Sequence, residues 1–100
     1  MYQIKYAPEF VKAARRCKRQ GRNMTMLWEV VSMLAKDGCV PDSYRPHLLR
    51  DEFAGCWECH IEEDWLLVWR QNDKKLILLL TNTGSHEDLF DKRSKIRISL

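Results

Sequence analysis

One hundred residues, 45% of them hydrophobic, make one domain large enough to bury a core without metal or disulfide staples. No apolar run approaches the roughly 18–20 residues of a membrane span, and the opening MYQIKYAPEF has neither the basic-then-apolar pattern nor the cleavage site of a signal peptide. A cytoplasmic chain without membrane contact is therefore expected, with Cys17, Cys39, Cys56 and Cys59 as reduced thiols.

The net charge is only +3, but residues 1–50 carry ten Lys/Arg against four Asp/Glu, and residues 51–100 carry seven against ten. Lys12, Arg15, Arg16, Lys18, Arg19 and Arg22 form a dense basic run, which either meets a polyanion or is a solvated helix face.

Tyr2, Ile4 and Tyr6 alternate with Gln3 and Lys5, the two-residue period of a short half-buried strand. Pro8 suits the first position of a helix, where its missing N–H is not needed. Phe10, Val11, Ala14 and Cys17 then repeat at helical spacing until Gly21 offers a left-handed stop. Asn23 or Thr25 caps a second helix with the apolar stripe Leu27, Val30, Val31 and Leu34, and Gly38 closes it. The short link at Gly21 predicts that the two helices pack as an antiparallel hairpin. Residues 38–46, with two prolines and an Asp-Ser pair, read as an ordered loop that ends at His47.

Three strands follow, at 55–61, 65–70 and 76–81, with a turn at Asn72-Asp73 between the last two. In the first, Trp57, Cys59 and Ile61 face the core, while Cys56, Glu58 and His60 share the wetter side. The other two are apolar on both faces, as central strands are. Ser85 caps one helical turn reaching Phe90, and residues 91–100 form a polar tail, either disordered or an edge strand in an assembly. The expected fold is α+β over residues 1–90, an N-terminal strand and helix hairpin packed on a small antiparallel sheet.

The three histidines, His47, His60 and His86, all lie in the second half of the chain. Taken singly, a strand histidine is usually structural. Together they are more informative, because His60 precedes Asp64-Trp65 by four residues and His86 precedes Phe90 by four. In an antiparallel meander these positions can converge on one side of the sheet, where imidazoles beside a carboxylate supply acid–base chemistry near neutral pH. Trp65, after Glu62-Glu63-Asp64 at a turn, is expected to project beside Asp64 into a cleft.

Cys56-Trp57-Glu58-Cys59-His60 matches the C-x-x-C-H pattern of haem attachment. Strand parity puts the two cysteines on opposite faces and no export signal precedes them, so that reading is rejected. Cys17 and Cys39 stand alone, which leaves no second pair for zinc. No cofactor and no metal are expected.

Tyr44-Arg45-Pro46-His47-Leu48-Leu49, then His60-Ile61-Glu62-Glu63-Asp64-Trp65, then Thr83-Gly84-Ser85-His86-Glu87-Asp88-Leu89-Phe90 together resemble the YafQ-like toxins of the RelE/ParE superfamily, which have a microbial RNase-like fold. The resemblance implies a type II toxin that cleaves messenger RNA in the ribosomal A site without metal and is silenced by a partner antitoxin. It carries catalytic or RNA-contact roles onto His47, His60, Asp64, Trp65, His86 and Phe90. Two departures stand out: Pro46 precedes His47 where the family often has the proline after it, and Asn82 occupies the position where the family can place an arginine. An amide supplies no charge, so phosphate binding falls to Arg45 or Arg50.

In the implied reaction His86 is the general acid, and Asp64 and His60 are the base and its orienting partner. His47 and an arginine bind the scissile phosphate, while Trp65 and Phe90 stack on bases. The competing readings are a ParE-type toxin that inhibits DNA gyrase and a degenerate member that only binds its antitoxin. The His-Asp-His set argues against the gyrase inhibitor, which has no need of titratable groups.

Overall fold

The computed structural model describes residues 1–90, so the expectations for the 91–100 tail lie outside the described residues. Strand β1 (Gln3–Tyr6) leads into helix α1 (Pro8–Arg19), with Pro8 in its first turn. The helix ends in a Schellman turn, in which Gly21 sits at φ +83°, its N–H reaches the Lys18 carbonyl, and the Arg22 N–H reaches the Cys17 carbonyl. Its buried face is Phe10, Ala13 and Cys17, with Val11 and Ala14 at the flanks. The expected stripe ran through Ala14; residues 13 and 14 are both alanine and both fit a helical repeat from Phe10, so composition does not choose between them.

Helix α2 (Met24–Asp37) takes Asn23 as its cap, the side-chain oxygen accepting the Thr25 N–H at 3.1 Å, a contact worth about 1 kcal/mol. Gly38 ends it at φ +71°, and a Cβ there would lie 2.6 Å from the Tyr2 hydroxyl, so conformation and packing both demand glycine. The two helices meet through an edge-on contact of Phe10 and Trp28.

Strands β2 (His47–Leu48), β3 (Trp57–Glu62), β4 (Trp65–Asn72) and β5 (Ile77–Gly84) form an antiparallel meander. The sheet order is β1-β5-β4-β3-β2, and β1 joins β5 in parallel. The edge strand β2 starts at His47, where the sequence leaves a strand or a loop end open, because two residues carry no readable period. Single 3₁₀ turns at Asp42–Tyr44 and Asp51–Phe53 flank it.

Strand β5 runs three residues past its expected end through a bulge. Val68 pairs with Asn82 and Trp69 with Leu80, leaving Thr81 outside the ladder, where its hydroxyl donates to the Val68 carbonyl at 3.0 Å. The extra residue resets the alternation, so Leu78, Leu80 and Thr83 all turn to the buried face.

The helices cover one face of the sheet, where Phe10, Cys17, Leu27, Val30 and Leu34 pack against Cys59, Ile61, Trp65, Leu67, Trp69, Leu78 and Leu80. The opposite face carries Glu58, His60, Leu66, Val68 and Asn82. It is less wet than expected: Cys56 and Glu58 are buried and His60 is half-buried, because β2, the segment after it and helix α3 (His86–Phe90) roof part of this face. Among the described residues no helix is long and apolar enough to cross a membrane.

Candidate active site

The register of β4 against β5 builds the centre of the site. Leu66 pairs with Gly84, so Asp64, two residues before Leu66, stands opposite His86, two residues after Gly84. Asp64 lies in the two-residue turn between β3 and β4, and His86 opens α3. One carboxylate oxygen of Asp64 accepts both the backbone N–H of His86 at 2.9 Å and the His86 Nδ1–H at 2.6 Å. The backbone hydrogen bond from His86 and then its side-chain bond hold the Asp64 carboxyl below its ordinary value; burial opposes them, and the charges of His86 and Arg22 add lesser lowering.

The second imidazole sits across from the first. The His60 and His86 rings are 5.5 Å apart between centroids and tilted by 49°. His60 Nδ1 lies 3.2 Å from the Glu63 carbonyl oxygen. A carbonyl and an ionised carboxylate only accept, so in both histidines Nδ1 carries the proton. Asp64 is thus bonded to His86, whereas the sequence reading pairs it with His60.

His47 is on the same sheet face but is held differently. It pairs with Glu58 across β2 and β3; its Nδ1 is 3.1 Å from the Arg45 carbonyl and its Nε2 3.3 Å from Glu58 Oε1. Glu58 is 4% exposed and its Oε2 has no hydrogen-bond partner among the described residues. Sequence reasoning had placed Glu58 on this face without giving it a role, and only the pairing of the short strand β2 reveals its partner.

Arg45 and Arg50 are exposed on either side of His47. Phe90 is half-buried, set edge-on to Phe53 with centroids 5.2 Å apart. It lines a cleft of about 340 Å³ together with Leu49, Phe53, Val68, Arg70 and Asn82. Arg70 is exposed on the open sheet face and lines the same cleft as Asn82, a cation that the strand reading did not single out.

Trp65 corrects an expectation. It is fully buried, its indole N–H donates to the Thr83 hydroxyl at 3.0 Å, and that hydroxyl donates to the Leu66 carbonyl at 2.7 Å. Trp65, Leu67 and Trp69 alternate along β4 onto the helix-covered face, so the ring that was to stack on RNA is part of the core. Burial and then the charge of Glu58 push the Cys59 thiol up to about 12, which keeps it protonated and inert at neutral pH. Among the described residues no group of three or more His, Cys, Asp or Glu side chains is arranged to hold a metal ion.

Residues 2–91 match the family model described as the bacterial toxin of type II toxin-antitoxin systems, YafQ. The mRNA interferase toxin YafQ of Escherichia coli strain B/BL21-DE3 is 28% identical over 88 residues, covering 87% of this chain and 94% of that protein. In the crystal structure of the E. coli DinJ–YafQ complex, the similar chain is 26% identical with a TM-score of 0.81, covering 90% of this chain and 99% of that one. A metal-bound toxin from Helicobacter pylori is 30% identical with a TM-score of 0.81, covering 90% of this chain and all of that one.

Proposed function

The chain belongs to the YafQ family of type II toxins, and from that membership we propose that it is an endoribonuclease that cleaves messenger RNA on the ribosome by acid–base catalysis. The observation that carries the reading is the facing pair His60 and His86, each anchored through Nδ1. Cleavage of an RNA strand by its own 2′-hydroxyl needs one group to take the hydroxyl proton and another to protonate the leaving 5′-oxygen. Two imidazoles facing across a short gap meet that need.

His86, oriented by Asp64, is the proposed acid, and His60 the base. His47, braced by Glu58, contributes to phosphate binding with Arg45, Arg50 and Arg70, which together replace the charge absent at Asn82. Phe90, fixed by Phe53 at the mouth of the cleft, positions a neighbouring base. The products are a 2′,3′-cyclic phosphate and a free 5′-hydroxyl.

The partners in this reading are messenger RNA, ribosomal RNA and an antitoxin protein that binds the toxin tightly and silences it. The test is incubation of the purified chain with ribosomes programmed with a defined message, followed by mapping of the cut ends. Cuts that depend on the ribosome and on His86 support the proposal. An intact message in the presence of a toxic, folded protein would remove it.

A further inference from the structure

Part of the basic run works inside the molecule. Arg22 stands just beyond the glycine stop of α1, and its guanidinium lies 5.2 Å from the centroid of the Trp65 ring. Its Nη2 donates to the Asp64 carbonyl at 3.5 Å, and its Nε is buried without a partner among the described residues. Arg16, on the same helix end, donates from Nη2 to the Thr83 carbonyl at 3.2 Å and stands 3.8 Å from Asp88 Oδ2.

Asp88 and Ser85 are joined reciprocally: Asp88 Oδ2 accepts the Ser85 N–H at 3.1 Å, and Ser85 Oγ accepts the Asp88 N–H at 3.1 Å. Ser85 immediately precedes His86. The space beneath is tight, since a Cβ on Gly84 would lie 2.9 Å from Arg16 Nη2 and 3.0 Å from Asp88 Oδ2. One arginine therefore braces the turn that carries Asp64, and the other braces the strand end and cap that carry His86.

We infer that Arg22 and Arg16 are positioning residues, a clamp from the end of α1 that holds Asp64 and His86 at hydrogen-bonding distance. The inference rests on the proposed role of that pair, and it separates these two arginines from Arg15 and Arg19, which are exposed and free to meet RNA. A planar guanidinium suits both jobs, because it can lie along an aromatic face or fork between a carbonyl and a carboxylate.

The test compares Arg22→Gln, Arg22→Lys, Arg16→Lys and, as a control at an exposed cation on α2, Lys36→Gln. Two measurements are made: the His86 Nδ1–H signal in ¹⁵N-imidazole NMR of the free chain, and the cleavage rate at saturating ribosomes. Arg22→Gln is expected to weaken or broaden the His86 signal and lower the saturated rate about 10- to 100-fold, with little change in KM. Arg22→Lys and Arg16→Lys should keep the fold and show smaller losses of the same kind, while Lys36→Gln leaves the signal and the saturated rate unchanged. An unaltered His86 signal in both Arg22 variants overturns the inference, as does a loss confined to KM, which would make Arg22 an RNA contact. Because the NMR measurement needs no nuclease activity, it decides the clamp even where the nuclease reading itself fails.

Discussion

Asp64 Oδ1 receives two hydrogen bonds from one residue, the backbone N–H of His86 at 2.9 Å and its Nδ1–H at 2.6 Å. The pair fixes the start of α3 and the orientation of the imidazole together. Both groups remain about half or more exposed, which suits a site that must admit RNA.

His86→Ala and His60→Ala should each lower cleavage on the ribosome by about 10² to 10⁴, the usual loss when a placed acid or base is removed. Asp64→Asn should also lose activity, because a neutral amide no longer steadies a charged imidazole and can hold the ring in the other tautomer. Far-UV circular dichroism should be unchanged in all three. A folded His86→Ala protein cutting at the parental rate would sink the assignment of the acid.

The depressed Asp64 carboxyl gives a pH prediction with a definite sign. Folded, the group binds its proton more weakly than it does unfolded, so its contribution to stability is complete above the ordinary carboxylate value and is lost as the pH falls through the depressed one. A ¹³C titration should put the Asp64 midpoint below the ordinary 3.8. In His86→Gln the midpoint should rise only part of the way, because the backbone N–H of residue 86, the largest cause, remains. A midpoint at the ordinary value in the parent chain would mean that the pair does not form in solution.

Proton transfer by the two imidazoles and phosphate binding by the arginines need no metal, so cleavage should persist in excess EDTA once magnesium is restored to the level the ribosome itself requires. The cut fragments should end in a 2′,3′-cyclic phosphate. A 5′-phosphate product together with a strict need for a metal bound by the toxin would refute the mechanism.

Trp65 separates a core role from an RNA-stacking role. Trp65→Phe removes the indole N–H that bonds the Thr83 hydroxyl while leaving an aromatic face for Arg22, and should cost about 1–3 kcal/mol in chemical denaturation. Cleavage per folded molecule should stay near the parental value. The reverse pattern, full stability with impaired cleavage, would return Trp65 to the RNA surface.

The helices and the three long strands were legible because their periods run over several turns or pleats. What escaped depends on contacts between segments distant in the chain. His47 meets Glu58 only through the two-residue strand β2, too short to show alternation, and Asp64 meets His86 only through a β4–β5 register that passes a bulge at Thr81. Trp65 was readable in part: Trp65, Leu67 and Trp69 alternate, which places the ring on the core side, but its position beside a charged turn suggested exposure. The clamp by Arg16 and Arg22 was hidden in a run that composition alone treats as one basic surface.

The antitoxin prediction follows from the surface that remains after those two arginines are assigned. Lys12, Arg15, Lys18 and Arg19 are exposed on α1, and Tyr6 and Trp28 are 50% and 41% exposed beside it. A toxin whose proposed catalytic groups are as open as His86 and Asp64 has to be kept from RNA, and an acidic, amphipathic segment that orders on binding can cover both charge and ring surface. The chain should therefore purify most readily as a tight complex with a small protein encoded beside it, and the complex should leave mRNA uncut. Charge reversal is best confined to Arg15 and Arg19, since reversing Arg16 would disturb the His86 loop as well. If these two meet ribosomal RNA, Arg15→Glu with Arg19→Glu should reduce toxicity and the salt dependence of ribosome binding while pull-down of the antitoxin persists. Unchanged toxicity and unchanged binding would make the exposed run a solvated helix face, and loss of the antitoxin alone would place the inhibitor, instead of the ribosome, on α1.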